Sequence, residues 1–236
     1  MRTISIIIFI FTCFCNQLSA QFVYQKNASE EWERGELKNN TKVGCWVYYN
    51  YLGHTKRIEN YNDNGVLHGY TCNFTESGQF QSENWYNNGV LEGTQTTYQN
   101  GFKTKEYNIL NGKLSGTYMT FHPNGNPDTA GVYDNGVKVG PWITFFENGN
   151  KKNVVTYNNL GEKDGKETHY FQNGKIMLEY NWVKNKMHGK YSQYHKSGAI
   201  ELEGNYNNNS KDGKWVEYDP TGRKIKTRNY KNNSEL

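Results

Sequence analysis

A glycine recurs along the chain at Gly44, Gly69, Gly93, Gly116, Gly140, Gly165, Gly189 and Gly213, with successive spacings of 25, 24, 23, 24, 25, 24 and 24 residues. Self-similarity at such a period restricts the chain to repeat architectures, in which each unit is one supersecondary element stabilised only by its neighbours. Other columns keep the same register. Five residues after each repeat glycine stands an aromatic: Tyr49, Phe74, Tyr98, Phe121, Phe145, Tyr170, Tyr194 and Tyr218. A second glycine follows at Gly53, Gly78, Gly101, Gly125, Gly149, Gly174, Gly198 and Gly222, often after Asn. Eight residues beyond it lie Tyr61, Tyr86, Ile109, Tyr133, Tyr157, Trp182, Tyr206 and Tyr230.

The segments between turns run to about six residues, a strand length too short for a stable helix, so the unit reads as a β-hairpin. Asn-Gly, present eight times, favours type I′ turns because both residues tolerate positive φ. The repeat glycines read as belonging to the second turn of each unit. The expected fold is all-β: an elongated single-layer antiparallel sheet of eight consecutive hairpin repeats, of order 75 Å long at about 4.8 Å per strand. Alternation along the first strand of each unit places Val47 with Tyr49, and Ile143 with Phe145, on one face. The other face receives Trp46, Tyr118, Trp142, Tyr191 and Trp215. Exposed Trp and Tyr are common interface anchors, which makes these five the candidate interaction face. The alternative is that they are cross-strand packing of a thin sheet.

The repeats occupy almost everything from residue 35 to 236, which leaves no room for a separate catalytic domain; residues 21–34 read as a lead-in. Residues 1–20 differ, with Arg2, an apolar run from Ile4 to Phe14, and Leu18-Ser19-Ala20 before Gln21. That is the pattern of a signal peptide cleaved after Ala20, and it implies a secreted, periplasmic or envelope location. The apolar run is well short of the roughly 20 residues that span a bilayer. Cys13 and Cys15 follow Thr12 and Phe14 rather than the small residue of a lipoprotein signal. Cys45 and Cys72 lie on first strands of neighbouring hairpins, about 9 to 10 Å apart on strand spacing, so two free thiols are expected. The formal net charge of +4 gives no strong basic stripe for nucleic acid.

No cluster of chemistry-bearing residues emerges. His68 and His188 each precede a repeat glycine, a slot that Asp164 and Asp212 fill in other repeats. His122 and His195 share a repeat position three hairpins apart, too far to share a metal. Neither nucleophile, zinc nor phosphate-loop motifs occur. No enzymatic activity, metal or cofactor is expected.

The segments Tyr61-Asn-Asp-Asn-Gly65-Val-Leu-His-Gly69-Tyr70, Tyr133-Asp-Asn-Gly136-Val-Lys-Val-Gly140-Pro-Trp142, Lys186-Met-His-Gly189-Lys-Tyr191 and Lys211-Asp-Gly213-Lys-Trp215 resemble MORN repeats, in the variant form common in bacteria. The resemblance covers roughly residues 35 to 234. It departs from the family pattern in a shortened third repeat with Ile109 in place of Tyr. It implies an extended hairpin sheet and a binding role, since relatives are linked to phospholipid or protein binding and some bacterial ones to antitoxin or immunity functions. The resulting expectation is a secreted scaffold for a protein partner. The alternative is a module for envelope lipid or glycan.

Overall fold

The computed structural model of the protein describes residues 21–236; the signal peptide expected over residues 1–20 lies outside the described residues. The regular structure described is entirely β-strand, twenty strands divided between two units that meet between Lys113 and Leu114, at the first residue of β10. In the first unit run β1 (Gln21–Lys26), β2 (Trp32–Lys38), β3 (Thr41–Tyr49), β4 (Thr55–Tyr61), β5 (Gly69–Phe74), β6 (Phe80–Asn87), β7 (Val90–Leu91), β8 (Gly93–Gln99) and β9 (Phe102–Leu110). The second holds β10 (Lys113–Phe121), β11 (Pro127–Asp134), β12 (Val137–Phe145), β13 (Lys151–Tyr157), β14 (Lys163–Tyr170), β15 (Ile176–Val183), β16 (Lys186–Tyr194), β17 (Ile200–Asn207), β18 (Ser210–Tyr218), β19 (Lys224–Lys231) and β20 (Ser234–Glu235). Within each unit strands pair antiparallel in hairpin succession, for example β3 with β4 and β12 with β13, as the repeat pattern predicts. The stretch expected as a lead-in belongs to a hairpin too, because β1 pairs with β2 along its whole length.

Two kinds of turn alternate. In loops such as His122–Asn126, His122 N–H donates to the Asn126 carbonyl (2.8 Å) and Gly125 N–H to that of His122 (2.9 Å). Only the glycine has positive φ, +85°, so this is a type I turn closed by a left-handed residue. The second kind is a two-residue loop with both φ positive, as in Asn135-Gly136 (49° and 86°) and Asn208-Asn209 (51° and 70°), the type I′ geometry. Of the eight Asn-Gly pairs only four, at Asn88, Asn100, Asn111 and Asn135, are type I′. The other four end the longer loops. The two kinds differ by one residue, and that accounts for the uneven spacing. Repeats beginning at Gly44 and Gly140 carry a long loop at both ends (25 residues), the repeat at Gly93 a short loop at both (23), and the rest one of each (24).

The repeat glycines are not turn residues. All eight lie inside or at the start of a strand with φ between +64° (Gly140) and +106° (Gly165). Each pairs with the aromatic or Ile109 seventeen or sixteen residues on, as Gly44 with Tyr61 and Gly93 with Ile109. In five repeats the preceding strand shifts register opposite this glycine, for instance between Arg34 and Glu36 and between Ala130 and Val132. That is a β-bulge, here of the kind built on a left-handed glycine. His188, Asp164 and Asp212 therefore precede a bulge, not a turn, and His68 precedes the glycine that opens β5. Cys45 and Cys72 are both free, as strand spacing predicts. Burial, then the Glu83 charge, pushes the Cys72 thiol up.

Candidate functional site

Trp46, Trp142 and Trp215 are only 0, 4 and 3% exposed, although nothing in their repeat position alone requires burial. The cause lies on the preceding strand. Nine residues before the repeat glycine stand Gly35, Gly131 and Gly204, and each indole lies flat on one of them. A Cβ built there would meet the Trp Cδ2 at 2.3, 2.3 and 2.2 Å. The opposite ring face is covered by the lysine two before the repeat glycine: the Nζ of Lys42, Lys138 and Lys211 sits 4.3, 4.1 and 4.5 Å from the ring centroid. Each cation over a ring contributes about 0.5 to 1 kcal/mol where partly exposed. Where the glycine position holds Asn60, Asn84, Tyr107, Thr156 or Tyr180, the tryptophan position holds Thr71, Gln95, Tyr118, Glu167 or Tyr191.

The half-buried tyrosines of this column complete a packing ladder. Tyr118 contacts Tyr133 and Trp142 (centroids 5.4 and 5.6 Å). Tyr191 contacts Tyr180, Tyr206 and Trp215 (6.0, 5.7 and 5.4 Å). The expectation of an exposed interaction face at Trp46, Tyr118, Trp142, Tyr191 and Trp215 is thereby corrected. The column is the core of the sheet, and an indole pressed between a glycine and a lysine has no surface to offer a partner.

One repeat carries a carboxylate in this column. Glu167, 5% exposed, accepts hydrogen bonds from Lys163 Nζ (2.9 Å), Trp182 Nε1 (2.6 Å) and Asn153 Nδ2 (3.1 Å), and His169 Nε2 lies 2.9 Å away. Burial raises its carboxyl pKa, but the bonds from His169, Lys163 and Trp182 overcome that and bring it down to about 2. Lys163, the ring-covering lysine of the other repeats, still lies over Trp182 at 4.6 Å. A second buried carboxylate, Glu33 (2% exposed), is held by Lys42 (2.6 Å) and Gln25 (3.0 Å). Both are buried and held by these partners.

Among the described residues an accessible aromatic pair lies on the other face, in the repeat that begins at Gly69; Tyr24, 55% exposed, makes a second with Trp32 (centroids 4.9 Å). Tyr70 is 51% exposed and stands opposite Trp85 in the β5–β6 register, their rings edge to face with centroids 4.6 Å apart. His68 approaches the same indole at 6.4 Å. Asn60 Nδ2 donates to the Tyr70 carbonyl at 2.6 Å, fixing the strand beneath the pair. Exposed Val66 and Val90 add apolar area towards the Asn88-Gly89 turn. No periodicity marks Tyr70 and Trp85, because each departs from its column in one repeat alone.

A family model described as the MORN repeat variant matches residues 138–159, 163–184, 187–208 and 211–232. The four matches fall on four consecutive repeats of the chain. No curated protein matches the chain. Among solved structures, the crystal structure of TcdB2-TccC3 aligns with 92% of this chain at 10% identity and a TM-score of 0.22, and the chain spans 16% of that chain's length. A likeness at that level carries no argument.

Each matched MORN window opens at the position that covers the ring, Lys138, Lys163, Met187 or Lys211, and closes at or within the second turn. Each matched window thus takes in this position, the bulge, the column residue and the hairpin together. The match to this repeat suggests a repeat-based binding scaffold. Among the described residues no helix is long and apolar enough to cross a membrane.

Proposed function

We propose that the chain is a non-enzymatic scaffold, secreted by means of residues 1–20, that holds a protein partner on the patch of Tyr70 and Trp85 in the manner of an antitoxin or immunity protein. One observation carries this reading. Three other tryptophans, Trp46, Trp142 and Trp215, are buried, each between a glycine and a lysine, whereas Trp85 is only half-buried and meets the exposed Tyr70 edge to face. Rigid aromatic pairs with exposed apolar neighbours supply the anchors of protein interfaces.

The test is capture from envelope and secreted fractions with the full chain and three variants. Tyr70→Ala and Trp85→Ala are expected to lose the captured protein, by about 2 kcal/mol of binding each, with unchanged melting. Trp142→Ala is expected to lower the melting temperature. Capture that survives both patch variants would remove the assignment.

Envelope lipid or glycan is the second reading. Exposed Lys166, Lys190 and Lys214 recur one residue after the repeat glycine and face Asn181, Asn205 and Asn229 across the strand pair. It ranks second because Glu179 and Glu203 lie 3.1 and 3.8 Å from the first two ammonium groups. Salt-sensitive sedimentation with anionic vesicles in the same experiment would reverse the order.

A further inference from the structure

The eight Asn-Gly pairs are chemically alike in sequence, yet the fold treats them differently. Gly65, Gly125, Gly149 and Gly174 each donate their N–H to the carbonyl three residues back, at 2.8 to 3.0 Å. Gly89 and Gly136 donate theirs across to the preceding strand pair, to the carbonyls of Leu67 and Leu114, both at 2.7 Å. Four of these asparagine side chains are held as well: Asn88 by Asn62 and Asn87, Asn135 by Asp134, and Asn124 and Asn148 by the carbonyls of Glu147 and Gln172. Two pairs remain, Asn100-Gly101 and Asn111-Gly112. Among the described residues neither glycine N–H nor either asparagine amide has a hydrogen-bond partner, and all four residues are exposed. Both pairs flank β9, in the one repeat that carries short loops at both ends. Its residue two before the repeat glycine, the position that accepts the clamping N–H in the neighbouring repeats, is Leu91 at the end of β7, and it receives no such bond from Gly112.

We propose that Asn100 and Asn111 are sites of spontaneous modification, converting to aspartate and isoaspartate through a succinimide. The Gly101 backbone nitrogen, after giving its proton to solvent, attacks Asn100 Cγ. A C–N bond forms, the Cγ–Nδ2 bond breaks, and ammonia leaves with a proton returned from solvent. Water then adds to either imide carbonyl and opens the five-membered ring. The net change is asparagine plus water to acid plus ammonia, with no oxidation or reduction. Glycine, lacking Cβ, leaves its nitrogen open to this approach, and the same chemistry applies to Gly112 and Asn111. A hydrogen-bonded glycine N–H must first be freed, so the clamped pairs react only after local opening. The aspartate product suits a type I′ turn. Isoaspartate adds a backbone atom to a two-residue loop and disturbs the pairing of Gln99 with Phe102 that the loop sets.

The experiment is peptide mapping by mass spectrometry of the full chain aged at mildly alkaline pH, with a parallel sample unfolded in urea. In the folded chain Asn100 and Asn111 are expected to gain the amide-to-acid mass increment roughly tenfold faster than the other six, the factor set by breaking one or two ordinary hydrogen bonds. In urea the eight rates are expected to converge. Conversion of any clamped pair as fast as these two in the folded chain, or the same order of rates in urea, would overturn the proposal.

Discussion

Gly131→Ala is expected to destabilise the protein by about 3 kcal/mol, the upper end of the range for overpacking a filled site. The backbone at Gly131 is not left-handed, so alanine meets no conformational penalty there, and the whole effect is steric. The new methyl would lie 2.3 Å from Trp142 Cδ2 and 2.4 Å from Cε2. The indole cannot yield upward, because Lys138 covers its other face at 4.1 Å and Tyr133 presses its edge at 5.0 Å. Gly140→Ala supplies the contrast. That glycine has open space around it but a φ of +64°, so alanine there should cost about 1 to 2 kcal/mol of backbone strain. The decisive comparison is the double variant Gly131→Ala with Trp142→Thr, which replaces the indole by the residue that stands at this position in the repeat beginning at Gly69, Thr71. It should be more stable than the sum of the single effects by about 1 to 3 kcal/mol. Urea unfolding followed by circular dichroism measures the parent, the three single variants and the double variant. Additive single effects, or equal losses at Gly131 and Gly140, would show that the indole does not rest on the glycine as described.

The hairpin repeat and its strand pairing were legible because Asn, Gly and aromatic residues recur in register, and each has a local physical cause. The function of the repeat glycine was not legible, because a bulge and a turn make the same demand for a left-handed residue, and only the partner strand tells them apart. The alternation that places Trp142 on a face is likewise silent about what lies over that face. The cover comes from Gly131 on another strand and from Lys138, four residues upstream. Their signal was present in the sequence as a correlation: glycine nine residues before the repeat glycine occurs only in the three repeats with tryptophan two residues after it. Glu167, Tyr70 and Trp85 left no periodic signal, since they act by departing from their columns.

Glu167 is such a departure, and its removal should be felt as strongly as that of an indole. Glu167→Ala leaves the Lys163 ammonium, the Trp182 N–H and the Asn153 amide without their acceptor in a half-buried site, an expected loss of about 3 kcal/mol. The low end of the range for a broken buried pair applies, because the Lys163 side chain is 32% exposed and can take up water. The double variant Glu167→Leu with Lys163→Met should recover most of that loss, since it removes both charges together. Acid makes the same test without mutation. The folded pKa of about 2 lies below the unfolded value of 4.5, so the folded state binds the proton less readily than the unfolded one. The group therefore contributes its full stabilisation above pH 4.5, and that contribution is lost as pH falls through 4.5 towards 2. A gap of that size between the folded and unfolded acidities corresponds to about 3 kcal/mol. Glu31, whose carboxyl is drawn down to about 2 chiefly by its bond from Lys56 and then by Arg57, changes stability in the same direction over the same window. Unfolding free energies measured from pH 6 to pH 3 should fall less steeply in the Glu167→Leu, Lys163→Met variant than in the parent, by the share that Glu167 supplies. Parallel slopes in the two chains would mean that Glu167 is protonated in the folded state no less readily than in the unfolded one, and that its four partners position the β14–β15 hairpin without favouring its charge.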